Sequence, residues 1–264
     1  MATLRSDDAV LYYEVAGSGP DLVLLHPFPL NHHFWDALVP SLSVRHRVIT
    51  PDLRGHGQSE LGNGPATMDK HAADLLRLCQ AEGIDKATLV GVSIGGYALF
   101  EFWRRHAELF AALVLSNTRA AAETQESRAH RLRLADQVLR EGTAAFIEDM
   151  LGKVLGTSTR SDHPEVITAA RLMMQTMSAE GIAGVQRGMA VRPDSTETLS
   201  TINVPTLVIA GDEDTIPLSE AELMNQRIPA SRLHTISPAG HYAAMEKPEE
   251  YAGLLLKFLN SLPN

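Results

Sequence analysis

One cysteine, Cys79, occurs in the 264 residues. It cannot form an internal disulfide, which fits a reducing compartment, and its apolar neighbours on a predicted helix read as packing. No stretch approaches the ~18 consecutive apolar residues of a membrane-spanning helix. A secretory leader is not evident either, because Met1 to Asp8 is polar and acidic where such a leader is basic and then apolar. Basic residues are in deficit: 23 Lys and Arg face 32 Asp and Glu, for a net charge of -9 and a pI near 5.6. Without a basic stripe, binding to nucleic-acid phosphates is disfavoured. Repeats and low-complexity tracts are absent. These absences predict a soluble, cytoplasmic protein with no nucleic-acid or membrane partner.

What is present is an alternation of short apolar runs with amphipathic stretches, the pattern of a mostly parallel sheet covered by helices. Val10 to Val15 alternates with polar residues and predicts an edge strand. Buried strands are predicted at Leu22 to Leu25, Val48 to Thr50, Thr88 to Val92, Leu113 to Leu115, Thr206 to Ala210 and Leu233 to Ile236. Helical spacing marks Met68 to Ala81, with Gly83 as its stop, Ile94 to His106, Leu218 to Arg227 and Glu249 to Leu262.

The rhythm changes between Asn117 and about Thr201, where helical patterns near 126–140, 143–152, 164–177 and 179–191 follow one another without a strand. A structureless loop of that length is improbable in a compact domain. The expected division is therefore a core of residues 1–117 and 202–264 with an inserted helical cap, 118–201, over the carboxyl ends of the strands. Five of the nine methionines lie in it, at 150, 173, 174, 177 and 189. Flexible thioethers suit an adaptable apolar pocket, and equally the filling between cap and core.

Gly91-Val92-Ser93-Ile94-Gly95 joins a buried strand to a helix. Small residues two positions either side of the serine allow the two backbones to approach, and the strained turn aims the hydroxyl outward, which makes Ser93 a candidate nucleophile. The pattern alone is too common to carry that reading. A serine hydroxyl needs a base and a group that orients the base. His241, in the turn Pro238-Ala239-Gly240-His241 after the last strand, is placed to serve as general base and then general acid. Of the other histidines, His234 lies in a strand, His46 near the start of one, and His71, His106 and His130 on helices. Asp212, Glu213 and Asp214, after the strand ending at Ala210, are all candidate orienting carboxylates. After the strand Leu22 to Leu25 comes His26-Pro27-Phe28-Pro29, where an oxyanion donor is needed. Pro27 has no N–H, so Phe28 is the candidate donor, with Ile94 at the helix start as the other. His26 reads as a structural brace. The adjacent pair His32-His33 lacks the spacing of metal ligands on one helical face, so no metal is expected.

With these motifs the chain resembles the α/β-hydrolase superfamily along nearly its whole length. Pro51-Asp52-Leu53-Arg54-Gly55-His56-Gly57-Gln58-Ser59 is similar to the superfamily's Asp-x-Arg-Gly-x-Gly-x-Ser loop, and the order Ser93, acid, His241 agrees with its catalytic order. The resemblance implies an eight-stranded, mostly parallel sheet with the cap after the sixth strand, and no cofactor. By analogy with Asp-x-x-x-Pro endings it implies Asp214 as the acid, Asp212 being the reserve. Asn117 stands where some relatives keep their acid. His26-Pro27 departs from the His-Gly found in many members. A serine nucleophile excludes the aspartate-dependent epoxide hydrolase and dehalogenase branches.

Three enzymatic readings follow: a carboxylesterase first, a 3-oxoadipate enol-lactonase, and a cofactor-free haloperoxidase or perhydrolase, which Phe28-Pro29-Leu30 resembles. A reading of another class is a noncatalytic ligand receptor on the same fold. The predicted partner is a small or medium apolar ester or lactone, enclosed by Phe28, Pro29, Phe146, Met150, Met173, Met177, Ile216 and Tyr242, none of which demands a charged substrate.

Overall fold

Eight strands form one sheet in the computed structural model, which describes residues 1–263. They are β1 (Ala2–Ser6), β2 (Ala9–Ala16), β3 (Asp21–Leu25), β4 (Arg47–Pro51), β5 (Ala87–Val92), β6 (Phe110–Ser116), β7 (Thr206–Gly211) and β8 (Ser231–Ile236). Their order across the sheet is β1-β2-β4-β3-β5-β6-β7-β8. β2 runs antiparallel to both β1 and β4, and every pairing from β4 to β8 is parallel. β5 and β7 are buried at every residue, which is why they read as unbroken apolar runs: helices cover both faces of a parallel sheet.

The edge lies elsewhere than the sequence pattern indicates. β1 is the edge strand and β2 is interior to it, because Asp7 and Asp8 form a two-residue turn, Asp7 at φ 46°, that folds β1 back in register with Ser6 opposite Ala9. The acidic pair that reads as a polar terminus is this turn.

Helices α1 (Val39–Leu42), α2 (Met68–Glu82) and α3 (Ile94–His106) precede β6. α2 stops at Gly83, whose φ of 65° is the left-handed conformation a side chain resists. Between β6 and β7 come α4 (Gln125–Glu141), α5 (Ala144–Val154), α6 (Thr157–Asp162), α7 (Pro164–Met174) and α8 (Ala179–Ala190). α6 has no counterpart among the predicted helices. α9 (Leu218–Arg227), α10 (Ala243–Glu246) and α11 (Pro248–Leu259) complete the chain. No helix among the described residues is long and apolar enough to cross a membrane.

His26, His56 and His71 are buried. His26 Nε2 accepts the Leu53 N–H at 2.9 Å, which leaves Nδ1–H to donate to Pro27 O at 3.0 Å. This fastens the β3 loop to the loop after β4. Burial pushes His26 down to about 4 and His71 to about 3, and His56 well below its ordinary value. All three are neutral when folded and gain a proton near pH 6.5 once unfolded. The unfolded chain then binds more protons, so stability is full above about pH 6.5 and falls as pH drops toward the folded values. Each histidine is expected to contribute up to about 1.4 kcal/mol per pH unit to that slope. Urea unfolding between pH 4 and 7 should show a shallower slope in His71→Asn than in the unaltered chain, and identical slopes would refute the assignment.

Candidate active site

Ser93 lies between β5 and α3 at φ 54° and ψ -113°, a conformation that costs roughly 1–3 kcal/mol for a residue with a side chain. Two contacts require glycine around it. A Cβ on Gly91 would come within 2.5 Å of the Gly95 carbonyl carbon, and one on Gly95 within 2.7 Å of the Leu25 oxygen in β3. The turn is pinned on both sides: Ser93 N–H donates to Ser116 O at 3.0 Å, and the Thr118 hydroxyl donates to Ser93 O at 2.8 Å. The serine hydroxyl makes no hydrogen bond of its own among the described residues.

His241 follows β8 and Asp214 follows β7. Nδ1–H of His241 donates to both oxygens of Asp214, each at 2.9 Å, and Nε2 is left without a partner among the described residues. The same carboxylate accepts the Ile216 N–H at 3.0 Å and the Asn117 side-chain amide at 2.9 Å. Burial pushes the Asp214 carboxyl up. The His241 charge and these hydrogen bonds more than offset it, so the carboxyl stays below its ordinary value. The neighbouring acids are occupied elsewhere. Asp212, exposed, accepts from the Ser237 hydroxyl at 2.5 Å and the Ala239 N–H at 3.2 Å; Glu213 accepts from Ser158 N–H and hydroxyl at 2.9 and 2.6 Å.

At the β3 loop, neither the Phe28 N–H nor the Ile94 N–H donates a hydrogen bond among the described residues. Phe28 O accepts the Tyr242 hydroxyl at 3.0 Å, which fixes the peptide that follows. Asp52 holds the adjoining loop by accepting the His32 N–H at 2.7 Å and the Gln58 N–H at 2.8 Å. Gly57 is obligatory there, since a Cβ would fall 2.2 Å from the Asp52 carboxylate.

Ser93, His241, Thr215 and Ile216 line one cavity of about 440 Å³. Phe28 and Tyr97 join them from the core, and the rest of the wall comes from the helical insert, including Met150 and Val154 of α5 and Gln186 and Met189 of α8. Of the residues predicted to enclose a substrate, Phe28, Met150 and Ile216 line it. Phe146 lines a neighbouring cavity and packs edge-on to Phe28, ring centroids 5.9 Å apart. Pro29, Met173, Met177 and Tyr242 lie outside the lining. Tyr242 is fully buried against Phe34, their rings 5.8 Å apart. The expectation of a wholly apolar enclosure needs correction, because Arg119, Glu123 and Arg131 also form part of the wall. These charges are dispersed in sequence and meet only through packing, so no local spacing signals them.

Glu246 is a further residue that no motif in the sequence marks. It is 5 % exposed, yet its carboxylate accepts four bonds: the N–H groups of Gly240 and Tyr242 at 3.0 Å each, the Gly156 N–H at 2.9 Å and the Thr159 hydroxyl at 2.6 Å. The first two flank His241 and the last two belong to the insert. His241 N–H itself donates to Val154 O at 2.9 Å.

Known proteins share this architecture. A thermophilic esterase from Thermogutta terrifontis, solved with malate bound, is 40% identical with a TM-score of 0.94, over 97% of this chain and 95% of that one. The enol-lactonase from Burkholderia xenovorans LB400 is 26% identical with a TM-score of 0.92, over 98% of this chain and 100% of that one. In sequence, 3-oxoadipate enol-lactonase 1 of Acinetobacter baylyi is 26% identical across 93% of this chain and 90% of its own length. The family profile for the alpha/beta hydrolase fold matches residues 20–248, a span that runs from before β3 to beyond His241. With the sheet order, the turn at Ser93 and this match in agreement, the chain belongs to the alpha/beta hydrolase family.

Proposed function

We propose that this protein is a serine hydrolase that cleaves carboxylic esters through an acyl-enzyme. The observation that carries the reading is the doubly bonded Asp214–His241 pair opening on the same cavity as Ser93. His241 Nε2, as the acceptor of the neutral tautomer, removes the Ser93 proton as the hydroxyl attacks the carbonyl. Asp214 keeps Nδ1 protonated and stabilises the imidazolium. The free N–H groups of Phe28 and Ile94 take the oxyanion, Ile94 from the start of α3 where the helix dipole favours negative charge. His241 returns the proton to the leaving alcohol and then activates the water that releases the acid. The insert acts as a cap, with residues 118–201 roofing a core made of 1–117 and 202–264.

A lactone is a cyclic ester, and the enol-lactonase relatives support lactone cleavage as a second reading of the same machinery. Attack then leaves the alcohol tethered to the acyl group. The perhydrolase reading loses its local argument, since Pro29 does not line the cavity.

A fluorophosphonate, which traps activated serines, should add one equivalent at Ser93 by peptide mass. A panel of nitrophenyl esters and simple lactones should then give rapid multiple turnover that the same reagent abolishes. Labelling at another residue would displace Ser93. A single covalent event without turnover would favour the receptor reading.

A further inference from the structure

The inner wall of the cavity holds more guanidinium than carboxylate. Glu123, its side chain 2 % exposed, gathers three arginines: Arg119 Nη2 at 2.9 Å, Arg131 Nη2 at 3.0 Å and Arg192 Nε at 3.4 Å. Arg131 Nη1–H also donates to Gln186 Oε1 at 2.9 Å. Arg192 lies over the Tyr97 ring, 4.1 Å from its centroid. Tyr97 is one turn of α3 beyond Ser93, its N–H donating to Ser93 O at 3.2 Å. The cluster thus begins a single helical turn from the nucleophile.

Glu220 adds a second negative charge beside Arg119, so three positive charges face two negative ones. The other charges in the lining, Glu126, Asp149 and Lys153, are exposed at the rim, where solvent screens them, and the last two pair with each other at 2.7 Å. Donor capacity points the same way. Each guanidinium has five N–H donors, and a carboxylate accepts about four bonds. Arg119 Nε, Arg131 Nε and Arg192 Nη2 are buried and make no hydrogen bond among the described residues, three orphan donors against one orphan acceptor, Glu220 Oε2. Buried donors are ordinarily paired, because giving up water without gaining an acceptor is costly. An ion-pair network serving only to hold the insert would not need this surplus.

We infer that Arg119 and Arg131 form a carboxylate-binding subsite, so that the substrate is an ester or lactone carrying a carboxylate away from its scissile carbonyl. This rests on the ester-cleaving reading above. The planar guanidinium fork matches the two oxygens of a carboxylate, and the added negative charge balances the cluster. A neutral acyl chain leaves the excess positive charge of the cluster unbalanced, so the subsite selects against it.

The test compares monomethyl succinate and monomethyl glutarate with their terminal amides, which keep shape but lose the charge. The unaltered protein should favour the hemi-esters roughly 10- to 100-fold in kcat/KM, mainly through KM. That ratio should collapse toward one in Arg131→Gln, with Arg119→Gln as the alternative if thermal unfolding shows the first to be misfolded. Calorimetric binding of intact monomethyl glutarate to Ser93→Ala gives a readout free of turnover, and it should weaken at least tenfold when Arg131→Gln is added. Equal use of hemi-esters and amides by the unaltered protein, or a ratio that survives both variants, overturns the subsite while ester cleavage stands. If no ester of either kind is turned over, the ester-cleaving reading falls, and tight binding of the hemi-ester to the intact protein that Arg131→Gln abolishes would still support the subsite.

Discussion

Ser93→Ala is expected to lower ester turnover by about 10⁴-fold or more. The size follows from what the substitution removes. The Ser93 hydroxyl makes no hydrogen bond among the described residues, whereas the backbone at 93 is held by Ser116 O and the Thr118 hydroxyl. Alanine therefore keeps the turn and deletes only the attacking oxygen. Whatever rate remains comes from the oxyanion donors and binding alone, worth ~10³–10⁴-fold over water in comparable triads. Thermal unfolding should be close to that of the unaltered chain, because the strained φ is shared by serine and alanine. Turnover within tenfold of the unaltered enzyme, in a preparation free of host esterases, would remove Ser93 from the mechanism.

Asp214→Asn is expected to cost about 10⁴-fold in kcat, against less than tenfold for Asp212→Asn. Both oxygens of Asp214 are surrounded by donors: His241 Nδ1, the Ile216 N–H and the Asn117 amide. An asparagine must turn its own NH₂ toward one of them. Facing His241, it forces the proton onto Nε2, which can then no longer act as base. Facing Ile216 or the Asn117 amide, it breaks the support that orients the carboxyl group. Asp212 lies in the same loop but binds only the β8 turn through Ser237 and Ala239. Steady-state kinetics of the two variants on one nitrophenyl ester decide between them, and a larger loss at Asp212 would transfer the role.

The sheet was legible wherever strands are covered on both faces, since β3, β5 and β7 are apolar at nearly every residue. β1 escaped because an edge strand is half exposed; Thr3 and Arg5 point to solvent and leave no run to detect. α6 escaped for another reason. It is six residues long, and its start is held by Glu246 and Glu213 from distant parts of the chain rather than by a periodic apolar face. The candidate site divides along the same line. Ser93, Asp214 and His241 each stand in a short motif at the end of a strand, where local sequence constrains local geometry. The cavity wall does not. Met173 and Met177 have the apolar character of a pocket lining but pack outside it, while Arg119, Glu123 and Arg131 line it. Which face of an inserted helix meets the cavity is set by tertiary packing, and apolar spacing on one helix carries no information about it.

The four bonds that Glu246 accepts bear on which changes the fold can inherit. Gly156 has no room for a side chain, since a Cβ there would lie 2.5 Å from Glu213 Oε2 and 2.9 Å from Gly240 N. Shortening Glu246 would strand the amides on both sides of His241 along with the start of α6. Positions 156 and 246 are therefore locked to each other and to His241, and a change at either has to be matched at the other. α4 and α8 stand outside this lock. α4, with only Ala135 and Val138 buried, is open to remodelling in descendants of this sequence, and with it the range of molecules admitted, while the frame around His241 is kept; α8 is not, since a Cβ on Gly188 would lie 1.9 Å from Ala66 O.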